Sequence, residues 1–494
     1  MASRSKSVSM LAELVGGVFV GETDPSVSDV THDSRQVGDG GLYVAIRGER
    51  ADGHSFIPAA NKAGAVAVCV DHEVDVTIPQ IIVEDTREVL GDLAAAVHGH
   101  PSQAVDVIGV TGTNGKTTVT HFIESIAQYS GRVAGLIGTI HTRAGGITIP
   151  ATLTTPEASD FQRLLAAMSD EGVSLVAAEV SSHALEFGRV RGTRFAVAAF
   201  TNLSQDHLDF HGDMKAYREA KTRLFTDYDV GTAVINIDDP VGAEIAAGYE
   251  GELITVGRQG DLSVHSIETH ASYSDFTMET RWGGFNRRAP VIGEFNVSNL
   301  VLAAACCVAV GIDQGKVFDA VGHVSGVPGR FEVVSGDDPI TVVVDYAHTP
   351  EGVATAVETA RRLGVGRVVA LIGAGGDRDR AKRPAMGAAI SRADLAVITS
   401  DNPRSENPGE IAAAVMSGVD SASQHVLEID RCAAIDVAID AAQDGDVVLI
   451  LGRGHEPFQD LGAEKIPFDD REVAAAALHR RRKSAGNDVG SGSM

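Results

Sequence analysis

Short apolar runs punctuate the chain, and the spacing between them sets the elements it predicts. Leu42 to Ile46 and Ala65 to Val70 read as buried strands with a helix-like stretch around Phe56 to Ala63 between them. Residues 1–101 are thus expected to form a small α/β unit, and His100-Pro101-Ser102 is a linker. A second unit opens at Val105 to Val110, a valine-rich strand leading into a glycine loop and then a helix. That helix carries Val119, Phe122, Ile123 and Ile126 at i, i+3, i+4 and i+7, one buried face. The texture changes again near Pro328-Gly329-Arg330. Beyond it, Arg367 to Ile372, Leu395 to Thr399 and Val447 to Leu451 are buried-type strands separated by helix-length segments, which predicts βαβ units on a parallel sheet. The polar, Gly/Ser-rich stretch after Lys483 predicts a disordered tail over 485–494. The pattern as a whole predicts an α/β protein of three domains, 1–101, 102–331 and 332–484.

Length agrees with that division, since 494 residues make about three domains at roughly 150 residues each. A hydrophobic content of 44% with 22% charged residues belongs to a packed globular protein rather than a disordered one. The formal charge of -26 repels nucleic acid and anionic membranes, so neither is expected as a partner. Cys69, Cys306, Cys307 and Cys432 form no CxxC pair, as expected of buried thiols in a reducing compartment. Glu13 interrupts the apolar stretch that follows Arg4 and Lys6, and no cleavage site follows. The longest apolar run, Val301 to Val310, is well short of the roughly 20 residues of a spanning helix. Cytoplasmic protein is the expectation.

Chemistry enters at Gly112-Thr113-Asn114-Gly115-Lys116-Thr117-Thr118, between the predicted strand and helix. Backbone N–H groups there can cradle phosphates, with Lys116 on the β/γ-phosphates and Thr117 on Mg²⁺. The string departs from the standard pattern because Val110 stands at the first glycine position. By itself it does not separate a motor, a kinase, a switch or a ligase. Glu179, at the tip of the apolar strand Val173 to Ala178, is placed to hold Mg²⁺ near such a loop. A serine hydrolase built on Ser181, Ser182 and His183 lacks the G-x-S-x-G elbow. His207 and His211 stand four apart, a spacing that binds metal from one helical face or decorates a polar turn. Gly373-Ala374-Gly375-Gly376 is too short a glycine cluster to argue for a dinucleotide oxidoreductase.

Six strings occur in the order and spacing of one known family. They are Thr111 to Thr118 (TGTNGKTT), Glu179 to His183 (EVSSH), Thr201 to His211 (TNLSQDHLDFH), Gly293 to Asn299 (GEFNVSN), Gly329-Arg330-Phe331 and Asp345 to Pro350 (DYAHTP). On these the chain resembles the Mur ligase family of ATP-dependent amide-forming ligases. Asp401 to Arg404 (DNPR) and Gly452 to Glu456 (GRGHE) resemble the branch that adds the third residue of the peptidoglycan precursor peptide. The resemblance implies an N-terminal UDP-binding domain, a central P-loop ATPase and a C-terminal Rossmann-like domain. It also implies ATP, Mg²⁺ and a CO₂-derived carbamate on Lys221 as cofactors. The UDP-N-acetylmuramoyl dipeptide and meso-diaminopimelate are the implied substrates, for a monomeric enzyme.

Roles follow at matching positions. Lys116 would bind phosphate, Thr117 and Glu179 one Mg²⁺, and His207 a second. Lys221 as a carbamate would be an anionic oxygen ligand, where an ammonium would repel metal. Asn296 and Asn299 are expected near adenine, Arg330 on the phosphates, Asp345 and His348 around the ribose and base. Ser34, Thr154, Thr155, Ser181 and Arg189 match contacts to the UDP substrate. Phe187 stands where the family often has glutamine, and Arg453 where it often has lysine.

In a doubly wound sheet the strand ends at Gly373 to Arg380, Ser400 to Arg404 and Gly452 to Glu456 face one crevice. Arg378 and Arg404 can grip carboxylates there, while Asp401 and Glu456 can accept from an ammonium, with Asn402 and Gly452 alongside. Both signs in one pocket suit a diamino diacid. Lysine would leave the Arg404 guanidinium without a partner, a cost of about 1–3 kcal/mol.

Overall fold

The computed structural model describes residues 5–48, 51–144, 146–151, 153–281, 283–336, 338–364 and 366–490. In the N-terminal part, five strands lie in the order Val18–Val20, Gln80–Ile82, Ala65–Val70, Gly41–Val44, Asp29–Thr31. Leu42, Val44, Ala67, Cys69 and Ile81 are buried on one face beneath the helix Thr86–Val97. That helix begins where Asp85 accepts from the Arg87 N–H at 2.8 Å, an N-cap that satisfies a free helical donor.

The central sheet has eleven strands: Ile147–Pro150, His141–Ala144, Ala134–Ile137, Leu175–Glu179, Asp106–Thr111, Phe195–Phe200, Val230–Asn236, Glu252–Val256, Leu262–Thr269, Ser274–Thr280 and Gly283–Ala289. From Ala134–Ile137 to Leu262–Thr269 neighbours are parallel, and antiparallel hairpins extend both edges. Helices Lys116–Tyr129 and Glu294–Ala309 pack side by side over one face. Parallel strands covered on both faces are apolar throughout, which explains the unbroken runs of the sequence. Val119, Phe122, Ile123 and Ile126 all lie in this core, and the apolar run Val301 to Val310 is its second helix.

The third sheet runs Glu332–Val333, Thr341–Asp345, Val447–Leu451, Val368–Ile372, Leu395–Ile398, His425–Leu427, all parallel except the first strand. Placing Val447–Leu451 between Thr341–Asp345 and Val368–Ile372 brings together the carboxyl ends that the sequence analysis singles out. Helix Asp470–Gly490 covers residues 485–490, where a disordered tail is expected. A nucleated helix gains one hydrogen bond per added residue, so it runs on into weakly helical sequence. The rest of that stretch, 491–494, lies outside the described residues. No described helix is long and apolar enough to cross a membrane.

Candidate active site

The P-loop joins the central strand Asp106–Thr111 to the helix Lys116–Tyr129. Two glycines are required there. A Cβ on Gly112 (φ +143°) would lie 1.8 Å from Thr201 Oγ1, and one on Gly115 (φ +88°) 2.5 Å from Asn299 Oδ1. Lys116 Nζ folds over the loop and donates to Gly112 O at 2.8 Å and Thr113 O at 2.9 Å. Desolvation lowers the pKa of this ammonium against the opposing pull of Glu179 and Asp206.

Glu179 ends the strand beside the P-loop strand and is paired in register with Val110. Its carboxylate accepts from Thr117 Oγ1 at 2.9 Å, Thr139 N at 2.7 Å and Thr139 Oγ1 at 3.1 Å. Arg330 reaches in from the start of the C-terminal part. Its Nη2 donates to Thr117 Oγ1 at 3.0 Å, and its guanidinium lies 4.2 Å over the Tyr346 ring. The oxygens of Thr117 and Glu179 form a hard donor set that suits Mg²⁺.

Lys221, on the helix Met214–Thr226, is buried with its Nζ donating to Gly112 O at 2.7 Å and 4.6 Å from the Tyr217 ring centre. Burial and then the charge of Lys116 push its pKa well down. An amine in this setting tends to the neutral form, the form that captures CO₂.

His207 and His211 do not share a helical face. His207 has φ 55° and caps a four-residue helix, Leu208–His211. His211 Nε2 is bonded to Ser182 Oγ at 3.0 Å, whereas His207 Nε2 lies 3.5 Å from Asp206 Oδ2. The i, i+4 metal pair is thus replaced by a single cleft-facing imidazole, because His207 stands at the helix N-cap with a left-handed backbone while His211 turns to Ser182.

Asp206 also meets the C-terminal part: Lys382 Nζ lies 2.9 Å from its Oδ1 and His348 Nε2 3.4 Å from its Oδ2. Burial opposes ionisation of this carboxyl, but His348, Lys382 and His207 outweigh it and hold the pKa far below the usual range. His348, expected near the ribose and base, lines the cleft within reach of Asp206. Asp345 is held by the N–H groups of Phe331 (2.7 Å) and Ala347 (2.9 Å), with burial raising its pKa.

At the far end, Arg404 (φ 51°) donates through Nη1 to Gly376 O at 2.6 Å, and Arg378 lies on the same loop face, 3.4 Å from Asp377 O. Asn402 Nδ2 donates to Glu456 Oε2 at 2.6 Å and Asn402 Oδ1 accepts from Arg453 Nη1 at 2.8 Å. Burial, then the neighbouring Asp401 charge, raises the Glu456 pKa. Arg453 thus works behind the pocket wall, which accounts for a cation at that position.

These groups meet in one cleft of about 560 Å³. Of the expected residues, Thr113 to Thr118, Glu179, His207, Asn299, Arg330, Asp345, His348, Thr154 and Ser181 line it. So do Arg378, Asp401, Asn402, Arg404, Gly452 and Glu456. Gly112, Lys221, Asn296, Ser34, Thr155 and Arg189 do not line it. Asn296 turns its amide to Ile292 O at 3.0 Å. Thr155 Oγ1 is spent on Glu179 O at 2.8 Å, and Arg189 is bound to Glu157 at 2.9 Å. Half-buried Ser34 sits in the turn after strand Asp29–Thr31. Phe187 fills the space between Arg87 and Arg189, whose guanidinium carbons lie 5.0 and 5.5 Å from its ring centre.

Sequence reasoning missed Asp206, Lys382, Thr139 and Tyr346, all of which line the cleft. Asp206 and Tyr346 stood inside quoted motifs, and Lys382 lies two residues beyond the Gly373 to Arg380 loop. Thr139 carries no local signal.

Three family models match the chain in order: "Mur ligase family, catalytic domain" over residues 26–98, "Mur ligase middle domain" over 110–307, and "Mur ligase, glutamate ligase domain" over 329–454. The UDP-N-acetylmuramoyl-L-alanyl-D-glutamate--2,6-diaminopimelate ligase of Geobacillus thermodenitrificans is 45% identical over 470 residues, 93% of this chain and 96% of that protein. The Aquifex aeolicus protein of the same name is 44% identical over 453 residues, 92% of this chain and 94% of its own. A solved structure of a ligase of that name superposes with a TM-score of 0.69 at 31% identity, covering 97% of this chain and 99% of the other. The fold is also that of the MurF ligase from Thermotoga maritima, solved in complex with ADP: TM-score 0.64, 20% identity, 92% and 99% coverage. With all three domains matched in sequence and the whole chain matched in fold, the protein belongs to the Mur ligase family.

Proposed function

We propose that the protein joins meso-diaminopimelate to UDP-N-acetylmuramoyl-L-alanyl-D-glutamate with cleavage of ATP to ADP and phosphate, a step of peptidoglycan precursor synthesis. One observation carries the reading: a phosphate-cradling loop and a pocket holding both guanidinium and carboxylate groups line the same cleft. A transferred phosphoryl group and an incoming zwitterion can therefore meet there. The P-loop amides and Lys116 would hold the β/γ-phosphates of ATP, with Arg330 beside them. The γ-phosphoryl passes to the terminal carboxylate of the dipeptide, giving an acyl phosphate. The amine of the diamino acid attacks the acyl carbon, and phosphate leaves. Arg404 and Arg378 would orient its distal carboxylate, Asp401 and Glu456 its distal ammonium.

Thr117 and Glu179 would hold one Mg²⁺ and His207 a second, which would supply charge neutralisation on the phosphates. Lys221 fits a carbamate, since its amine is buried against a carbonyl rather than a carboxylate. Thr154 and Ser181 line the cleft and would meet the UDP-linked substrate, with Thr155 and Arg189 setting their loops and Ser34 reached from the N-terminal domain. The reading takes the enzyme as a monomer. The substrates are soluble metabolites of the cytoplasm, and we place the reaction there.

The test is phosphate release by purified protein with ATP, Mg²⁺ and the UDP-muramoyl dipeptide, comparing meso-diaminopimelate, L-lysine and no amine. Release that depends on diaminopimelate is expected. Equal release with lysine would overturn the role given to Arg404, and amine-independent release would overturn ligation.

A further inference from the structure

We propose that the N-terminal domain carries a separate site for a borderline divalent cation such as Zn²⁺, built from His54, Asp71 and His72. One ligand atom from each lies within 4.8 Å of the others. Ligands of a tetrahedral Zn²⁺ stand about 3.4 Å apart, so these atoms need draw together by at most about 1.4 Å. None of the three lines the catalytic cleft.

The local chemistry points inward. His54 sits in the turn Gly53–Phe56, and Asp52 Oδ1 accepts from its Nδ1 at 2.7 Å while also holding its backbone N–H at 3.0 Å. A carboxylate on the outer ring nitrogen is the usual support of a metal-bound histidine, fixing ring and tautomer so that the other nitrogen offers its lone pair. That other nitrogen, Nε2, lies 3.2 Å from Asp71 Oδ1. This nitrogen accepts a long hydrogen bond from the Asp71 N–H at 3.4 Å, which a bound cation would displace. His72 Nδ1 makes a short contact to the same Oδ1, and the two rings stack at 4.8 Å. Two imidazole nitrogens thus converge on one carboxylate oxygen, which gathers the donor set of a cation site at one point. Two nitrogens and an oxygen select Zn²⁺-like ions over Mg²⁺, which prefers oxygen alone.

Asp71 and His72 follow directly on the buried strand Ala65–Val70, so two of the ligands hang from a rigid element. Arg47 is the competitor. Its Nε lies 2.6 Å from Asp71 Oδ2 and its Nη2 3.2 Å from Oδ1, but its side chain is 63% exposed and free to swing out. A bound cation would tie the turn at His54 to the strand end and stabilise the N-terminal domain by mass action.

The experiment uses full-length protein stripped with chelator, titrated with ZnSO₄ against a chromophoric indicator in the absence of nucleotide. Wild type should bind one more equivalent tightly than His72→Ala, a substitution at a side chain 54% exposed that leaves ligase activity unchanged. Arg47→Gln should tighten that equivalent several-fold by removing the competing charge, a gain that misfolding cannot mimic. Co²⁺ in the same position should give a visible absorption band that His72→Ala loses. Identical stoichiometry and affinity in wild type, His72→Ala and Arg47→Gln would overturn the proposal, whatever the catalytic cleft itself binds.

Discussion

Replacing Arg431 with methionine tests how the diamino-acid end of the cleft is held. Arg431 and Asp470 have no exposed side-chain surface and pair through two hydrogen bonds, of 2.8 and 2.7 Å. The remaining Arg431 donors reach Ser400 O at 3.2 Å and Leu451 O at 3.0 Å, the residues just before the Asp401 to Arg404 and Gly452 to Glu456 loops. Arg431→Met would leave Asp470 buried, with Arg453 Nε at 3.8 Å as its remaining cation. Breaking one side of a buried pair costs about 3–5 kcal/mol. For a domain of this size each kcal/mol moves Tm by about 2–4 °C, so a fall of roughly 6–20 °C is expected by calorimetry. KM for the diamino acid should rise while KM for ATP holds, since the P-loop takes no support from this pair. Arg431→Met/Asp470→Leu removes both charges and should recover most of the loss, because an apolar replacement of a buried pair is often neutral. A fall of under about 2 °C in the single variant, or a double variant as unstable as the single, would refute the reasoning.

Arg404→Lys keeps the charge but loses the two-pronged donor, and kcat/KM for diaminopimelate should fall about 10- to 100-fold, from a charged hydrogen bond of about 1.5–3 kcal/mol. An unchanged value in steady-state assays would remove Arg404 from substrate binding. Lys221 incubated with ¹³C-bicarbonate should give a carbamate carbonyl resonance in ¹³C NMR that Lys221→Arg lacks; its absence from wild type would remove the carbamate. Burial holds the His455 pKa at about 3, so the imidazole stays neutral in the folded chain where an unfolded histidine, near 6.5, takes a proton. Its stabilising contribution is full above about 6.5 and is lost toward pH 3, at up to about 1.4 kcal/mol per pH unit. Urea midpoints should therefore drop on acidification below about pH 6.5, and less steeply in His455→Gln; equal slopes would count against it.

The sequence by itself determined what is local. The P-loop is seven consecutive residues, and its strand and helix were legible because burial imposes a period on each. The three C-terminal strand tips and their charged loops were legible for the same reason, and so was Glu179 at the end of an apolar run. The family resemblance added the order of the domains. Tertiary structure decided what depends on distant pairs. Asp206 and Lys382 are 176 residues apart and meet only when the central and C-terminal sheets come together. The same packing turned His348 toward Asp206. His207 and His211 obeyed a helical spacing in sequence, but the turn gave His207 a left-handed backbone and sent His211 to Ser182. Lys221 shows the division most plainly. Its place on a helix is written locally, yet the burial that lowers its pKa comes from packing against the P-loop, where its Nζ meets the Gly112 carbonyl 109 residues away. Periodicity records which face of an element leaves water; which atoms then touch is set by the packing of elements that sequence alone does not align.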